Sequence, residues 1–188
     1  MKIDGRKAGC GFLVWLIAAC GSVVYTVPVA DAPMMGDKGA PHQLAVYSDF
    51  ECPFCKRTAA ALKEFAMTHP KRAAIYFKHY PLRQHPHSMR AARAAEAAHL
   101  QGKFWEMHDL IFAHQGGLND GIFIQLAEQL GLDVAKFEAD MKSETASARV
   151  ASDMSEAEAI GLWGTPFFVL DGAPFNGRLS ELLSRLQR

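Results

Sequence analysis

Net charge is what this 188-residue chain most plainly lacks: 20 Lys and Arg balance 20 Asp and Glu. That balance gives no ground for nucleic acid or acidic substrates as partners. Repeats and low-complexity tracts are absent too, which removes solenoid and disordered classes. Cysteine is scarce, at four residues, and unevenly placed: Cys10 and Cys20 lie near the start, leaving Cys52 and Cys55 for the rest. A chain with so few cysteines is not a disulfide scaffold. Charge is also missing locally, since no Asp, Glu, Lys or Arg occurs from Ala8 to Ala30.

That uncharged run follows Lys2, Arg6 and Lys7 and centres on Phe12-Leu-Val-Trp-Leu-Ile-Ala-Ala19. A basic start, an apolar middle and small residues after it describe export. Residues 1–32 are therefore read as an export signal or membrane anchor. Three fates stay open. Ala30-Asp31-Ala32 offers a cleavage site, Ile17-Ala18-Ala19-Cys20 offers a lipobox that would lipidate Cys20, and the run is long enough to span a bilayer uncleaved. A periplasmic or otherwise extracytoplasmic location follows, with or without an N-terminal membrane tether. The bland alternative, a buried core helix, fits poorly with Gly21 and Pro28.

Residues 33–42 mix Pro, Gly, Met and Asp without period and read as a linker. Residues 43–188 read as one domain. Gln43 to Phe50 predicts a strand with Leu44, Val46, Ser48 and Phe50 on one face. Pro53 suits the first position of a helix that ends at His69-Pro70. Ala73 to Tyr80 predicts a second strand. From Ser88 to about Leu162 the pattern is helical, cut into four stretches by Gly102, Gly116-Gly117 and Gly131, with Asp133 as an N-cap. Phe167–Leu170 predicts a strand, Asp171-Gly172 a turn, Pro174–Phe175 a hairpin partner, and Leu179–Leu186 a closing amphipathic helix. The order implies an α/β domain: a parallel strand pair with a crossover helix, an antiparallel edge, and a helical insertion over about 86–162.

Phe50-Glu-Cys-Pro-Phe-Cys-Lys56 directly after a strand resembles the active-site motif of the DsbA-like thioredoxin-fold proteins. Tyr80-Pro-Leu82, Gly102-Lys-Phe-Trp-Glu-Met-His108 and Gly161-Leu-Trp-Gly-Thr-Pro-Phe-Phe168 are similar to that family as well. The resemblance implies a thioredoxin fold with an inserted helical subdomain and dithiol–disulfide exchange outside the cytoplasm, with no cofactor. It also implies that the Thr165–Pro166 bond is cis and packs against the cysteines. Thr165 would then present its backbone to an extended peptide, with Pro53 and Phe54 supporting the site. The partners implied are exported protein or peptide substrates and a membrane or soluble redox partner. One departure stands out: relatives commonly carry a buried acid six positions before the first cysteine, where this chain has Val46. By strand alternation Asp49 and Glu51 point away from the Val46 face.

The chemistry of the pair follows from its place. A cysteine at a helix start meets unpaired N–H groups and the positive end of the helix dipole, which favour the thiolate. Cys52 is thus expected to be the exposed attacking thiol, and Cys55, one turn deeper, the resolving thiol. Glu51 opposes the thiolate, and Lys56 and Arg57 offset Glu51. Half of a zinc site is the competing reading, but no second cysteine pair is available to complete it. His79, His85 and His87 read as solvated loop residues rather than metal ligands. Phe104, Trp105, Phe112, Phe123 and Phe137 read as core rather than as a groove for unfolded chains. Function is then a disulfide-donating oxidase. A reductase or isomerase, or a redox-inactive binding or chaperone module on the same fold, are the alternatives.

Overall fold

In the computed structural model residues 25–119 and 121–188 are described. The export segment's apolar run, Cys10 and Cys20 lie outside them. The described chain forms β1 (Met34–Gly36), β2 (His42–Ser48), α1 (Pro53–Thr68), β3 (Ala73–His79), α2 (Ser88–His99), α3 (Phe104–Ala113), α4 (Ile122–Gln129), α5 (Val134–Met141), α6 (Glu144–Ala159), β4 (Phe167–Leu170), β5 (Ala173–Phe175) and α7 (Leu179–Leu186). The sheet order is β1-β3-β2-β4-β5. Strands β2 and β3 are parallel and the other pairings antiparallel. This is the mixed α/β thioredoxin fold with additional helices inserted between β3 and β4.

Local chemistry accounts for the elements near the site. Pro53 opens α1 at its first turn, where a missing N–H costs nothing. The buried residues Cys55, Thr58, Leu62 and Phe65 recur at spacings of three and four and so form one helical stripe. Leu62 and Phe65 of that stripe pack with Leu44, Val46 and Ile75 of the sheet and Leu182 and Leu186 of α7, while Cys55 joins the core of the inserted helices. On the other face α6 covers Ala45, Tyr47 and Val169 through Ala157. The hairpin β4–β5 turns on Asp171 and Gly172, at φ of 52° and 80°, the left-handed pair that a two-residue hairpin requires.

The inserted helices centre on α2. Six of its alanines, Ala91, Ala92, Ala94, Ala95, Ala97 and Ala98, are buried, which lets neighbouring helices approach closely. Phe104, Phe112, Phe123 and Phe137 are buried in the same core, with Trp105 packed against it, as the core reading requires. Asp133 caps α5 by accepting from Lys136 N at 2.9 Å.

Four expectations need correction. The stretch 33–42, read as a linker, contains β1: Met34, Met35 and Gly36 pair with Tyr76, Ile75 and Ala74. Only tertiary pairing makes these three residues a strand, so no local period announces it. Gly36 is needed there, because at φ 87° a Cβ would lie 2.1 Å from the Ala73 carbonyl oxygen. The boundary at residue 32 is likewise too late for the fold. Tyr25 N donates to the Gly172 carbonyl at 2.6 Å, Val27 packs on the α6-side core, and Lys78 Nζ donates to the Pro28 carbonyl. The helical stretch breaks into five α-helices rather than four. The extra break precedes Ser143, whose hydroxyl caps α6 by accepting from Ala146 N at 3.2 Å; no glycine marks it. Finally, β2 ends at Ser48, so the alternation read through Phe50 stops two residues early.

Candidate active site

The C-terminal ends of β2 and β3 and the start of α1 converge on the cysteine pair. Cys52 is the N-cap residue of α1 and Cys55 lies in its first turn. Both are free thiols. Cys52 Sγ donates to the Thr165 carbonyl at 3.4 Å, and the Thr165–Pro166 bond is cis. The Cys52 residue is only 4% exposed, against 60% for Phe54. The expectation of an openly exposed attacking thiol is therefore corrected. The Thr165 loop lies against the sulfur, and Gln115 of the inserted region bridges the Phe50 and Cys52 carbonyls at 2.7 and 3.0 Å.

The two sulfurs are pushed in opposite directions. Cys52 falls from 9.0 to about 5. The first cause is the hydrogen bond from the Cys55 thiol; burial opposes it, and the backbone N–H groups of Cys55 and Phe54 reinforce it. No N–H caps the Cys52 sulfur with normal geometry, so those amides act as nearby dipoles. The helix start thus contributes less than its neighbour's thiol, which reverses the weighting expected from sequence. Cys55 is pushed up, first by burial and then by its bond to Cys52. The Asp49 N–H, 3.5 Å from Cys55 Sγ, works against that rise.

The surrounding charges are engaged elsewhere. Asp49 is buried in the turn after β2, where its carboxylate accepts from Leu82 N at 2.6 Å, Glu51 N at 2.7 Å and His85 Nδ1 at 2.9 Å. Glu51 accepts from His87 N at 2.6 Å. Lys56 reaches toward the Ala113 carbonyl, and Arg57 lies 4.6 Å over the Phe54 ring. His85 is hydrogen-bonded to the buried Asp49 carboxylate, and His79 is a buried strand residue bonded to Glu96 at 2.8 Å, so neither is a freely solvated loop histidine. Burial alone would raise the Glu96 carboxyl, but bonds from His79 and His99 lower it to about 2. Val46 is buried and lines a small cavity beside Cys55, so no carboxylate stands there.

Sequence reasoning missed Gln115 and the placement of Asp49. The Gly116-Gly117 break marks a loop but not its return to the cysteines. Trp163, two residues before Thr165, is 90% exposed; its motif was visible, its exposure was not.

The model of the DSBA-like thioredoxin domain matches residues 43–187. The chain belongs to the DsbA-like family. Its fold is shared with a thioredoxin-like oxidoreductase from Silicibacter pomeroyi (TM-score 0.72, 27% identity, 84% of this chain and 91% of that one). It is shared also with DsbA2 of Pseudomonas aeruginosa (TM-score 0.66, 28% identity, 80% and 90%). In sequence, the DsbA-like chain is 37% identical over 143 residues to a protein named Na(+)/H(+) antiporter NhaA 3 from Salinispora tropica, covering 76% of this chain and 22% of that protein. The chain therefore spans about a fifth of that relative's length. Family and cysteine spacing together support a thiol–disulfide oxidoreductase role. Among the described residues no helix is long and apolar enough to cross a membrane.

Proposed function

We propose that this DsbA-like protein donates disulfides to exported proteins through the Cys52–Cys55 pair. The observation that carries the proposal is the placement of Cys52 at the start of α1, against the cis Thr165–Pro166 loop, where the Cys55 thiol lowers its pKa to about 5. A stabilised thiolate stabilises the reduced form, and a disulfide whose reduced form is stabilised is a strong oxidant. The sign is consistent. The folded-state value lies below 9.0, so the stabilisation is full above about pH 9 and disappears as pH falls through about 5.

In the proposed cycle a substrate thiolate attacks Cys52 Sγ of the oxidised pair, and Cys55 leaves and takes up a proton. A second substrate thiolate then attacks the substrate sulfur of the mixed disulfide. The substrate disulfide forms, Cys52 leaves as the thiolate, and two electrons rest on the cysteine pair. A redox partner's disulfide reoxidises that pair. Thr165 and Pro166 would hold the incoming peptide beside Cys52, with exposed Phe54 and Trp163 offering apolar contact.

The test is the reduction potential of the full chain against glutathione, with reduced unfolded protein as substrate. Potentials in this class run from about −270 mV for thioredoxin to about −120 mV for DsbA itself. A value near the upper end, with oxidation abolished in Cys52→Ser, supports the oxidase. A value near the lower end supports the reductase reading.

Extracytoplasmic placement is part of the same proposal and rests on the charge pattern of residues 2–30. The packing of Tyr25, Val27, Pro28 and Ala30 on the domain supports a chain that keeps them, lipidated at Cys20 or uncleaved, and disfavours cleavage after Ala32. Intact mass of the exported protein tests this: a chain beginning at Pro33 would contradict it.

A further inference from the structure

Cys55 is buried and its thiol is pushed up, so a proton must be taken from it and returned to it at the bottom of the site. A cavity of about 20 Å³ lies beside it, lined by Cys55, Ser48, Thr58, Val46 and His108 within otherwise apolar walls. That volume has room for one water. A second, open groove of about 330 Å³ lies outside, flanked by Lys63, Glu106 and Asp109. Three side chains line both spaces: Met35, Trp105 and His108. Only the imidazole can titrate.

His108 is held for this task. Its ring sits among Phe112 at 4.9 Å, Trp105 at 5.1 Å, Phe77 at 5.2 Å and Phe50 at 5.7 Å between centroids. Nδ1 lies 2.9 Å from Asp109 Oδ1. The carboxylate accepts, so Nδ1 carries the proton and Nε2 is the acceptor nitrogen. Asp109 in turn is paired with Lys63 at the surface.

We propose that His108 is the proton relay for Cys55, acting through one water in the inner cavity and exchanging with solvent through the outer groove. The inference rests on the exchange reading above. In resolution, Cys55 S–H gives its proton through the water to Nε2, and its sulfur pair attacks Cys52 Sγ. The Cys52–Cys55 bond forms, the bond from Cys52 to the partner sulfur breaks, and that sulfur leaves with the electron pair. In donation the proton returns to Cys55 as it leaves. His108 touches no reacting sulfur and is a positioning residue. Burial lowers its pKa, Asp109 working against the shift, which favours the neutral, accepting imidazole. The ionisable groups facing it are Asp109 and Glu106 of its own helix, Cys55 and Lys63 of α1, and His79 of β3.

The experiment follows glutathione release from the full chain after oxidised glutathione has reacted at Cys52, as a function of pH. The wild type should release glutathione with an inflection below neutral pH. His108→Gln should slow release about 10²-fold at pH 7, the low end of general acid–base contributions. It should also lose the inflection while keeping the pH profile of Cys52 alkylation. Asp109→Asn, at a half-exposed position, should slow release several-fold and decides the matter if His108→Gln does not fold. Unchanged release and profile in these variants would overturn the relay alone. Slowing in His85→Gln but not in His108→Gln would overturn it in favour of the Asp49 side. No release from the wild type would overturn the exchange reading and the relay with it.

Discussion

Buried polar groups lie on both faces of the central sheet, and the two sets are built differently. On the α6 face Lys78 is paired with Asp153 at 3.2 Å and Glu156 at 3.0 Å; Arg149 also reaches Asp153, and Tyr47 donates to Glu156. Every charge there has an opposite partner. On the α1 face His79–Glu96 and Asp49 are bonded as well, but Cys55 has only long sulfur contacts, and Ser48, Thr58 and His108 border a small cavity. Dense pairing fixes α6 to β3. Sparse pairing leaves sulfurs whose proton affinities are split by their surroundings. The first arrangement stabilises a fold; the second does chemistry.

The largest effect that would break this comparison is a loss of folding. Lys78→Met leaves Glu156 without its cation and Asp153 with Arg149 alone, a class of change that costs about 3–5 kcal/mol. Urea unfolding should show it, and a shift under about 1 kcal/mol would mean that the α6-side cluster is not structural. The counterpart on the other face should affect chemistry and little else. Cys55→Ser should leave stability near wild type while covalent complexes with substrates accumulate through Cys52 on non-reducing gels. Complexes trapped by Cys52→Ser instead would reverse the roles. The smallest effect concerns the strap from the inserted helices. Gln115→Ala removes two hydrogen bonds to carbonyls beside Cys52 and should cost roughly 1–2 kcal/mol, with faster alkylation of Cys52. An unchanged alkylation rate would mean that Gln115 does not limit access.

Much of the frame was legible because it is written in local patterns. Pro53 at a helix start, the Asp171-Gly172 turn and the stripe of α7 each follow from short-range rules. The spacing of Cys52 and Cys55 announces their chemistry in the same way. What stayed hidden depends on distant parts of the chain. Strand β1 exists only by pairing with β3. Lys78 reads as an ordinary strand lysine until Asp153 and Glu156, far along the chain, meet it. The partners of Asp49, Leu82 and His85, come from beyond β3, and the cover over Cys52 comes from the Thr165 loop and Gln115 of other elements. The split between the sulfurs was anticipated in direction, but its first cause, the Cys55 thiol itself, is a property of folded geometry.

The most direct test of the account is the pH dependence of alkylation in the reduced full chain, with each cysteine followed separately by mass spectrometry. Cys52 should react with iodoacetamide with a midpoint near pH 5, while Cys55 stays unmodified up to pH 9. A Cys52 midpoint at the ordinary thiol value of about 8.5, or modification of Cys55 first, would contradict it.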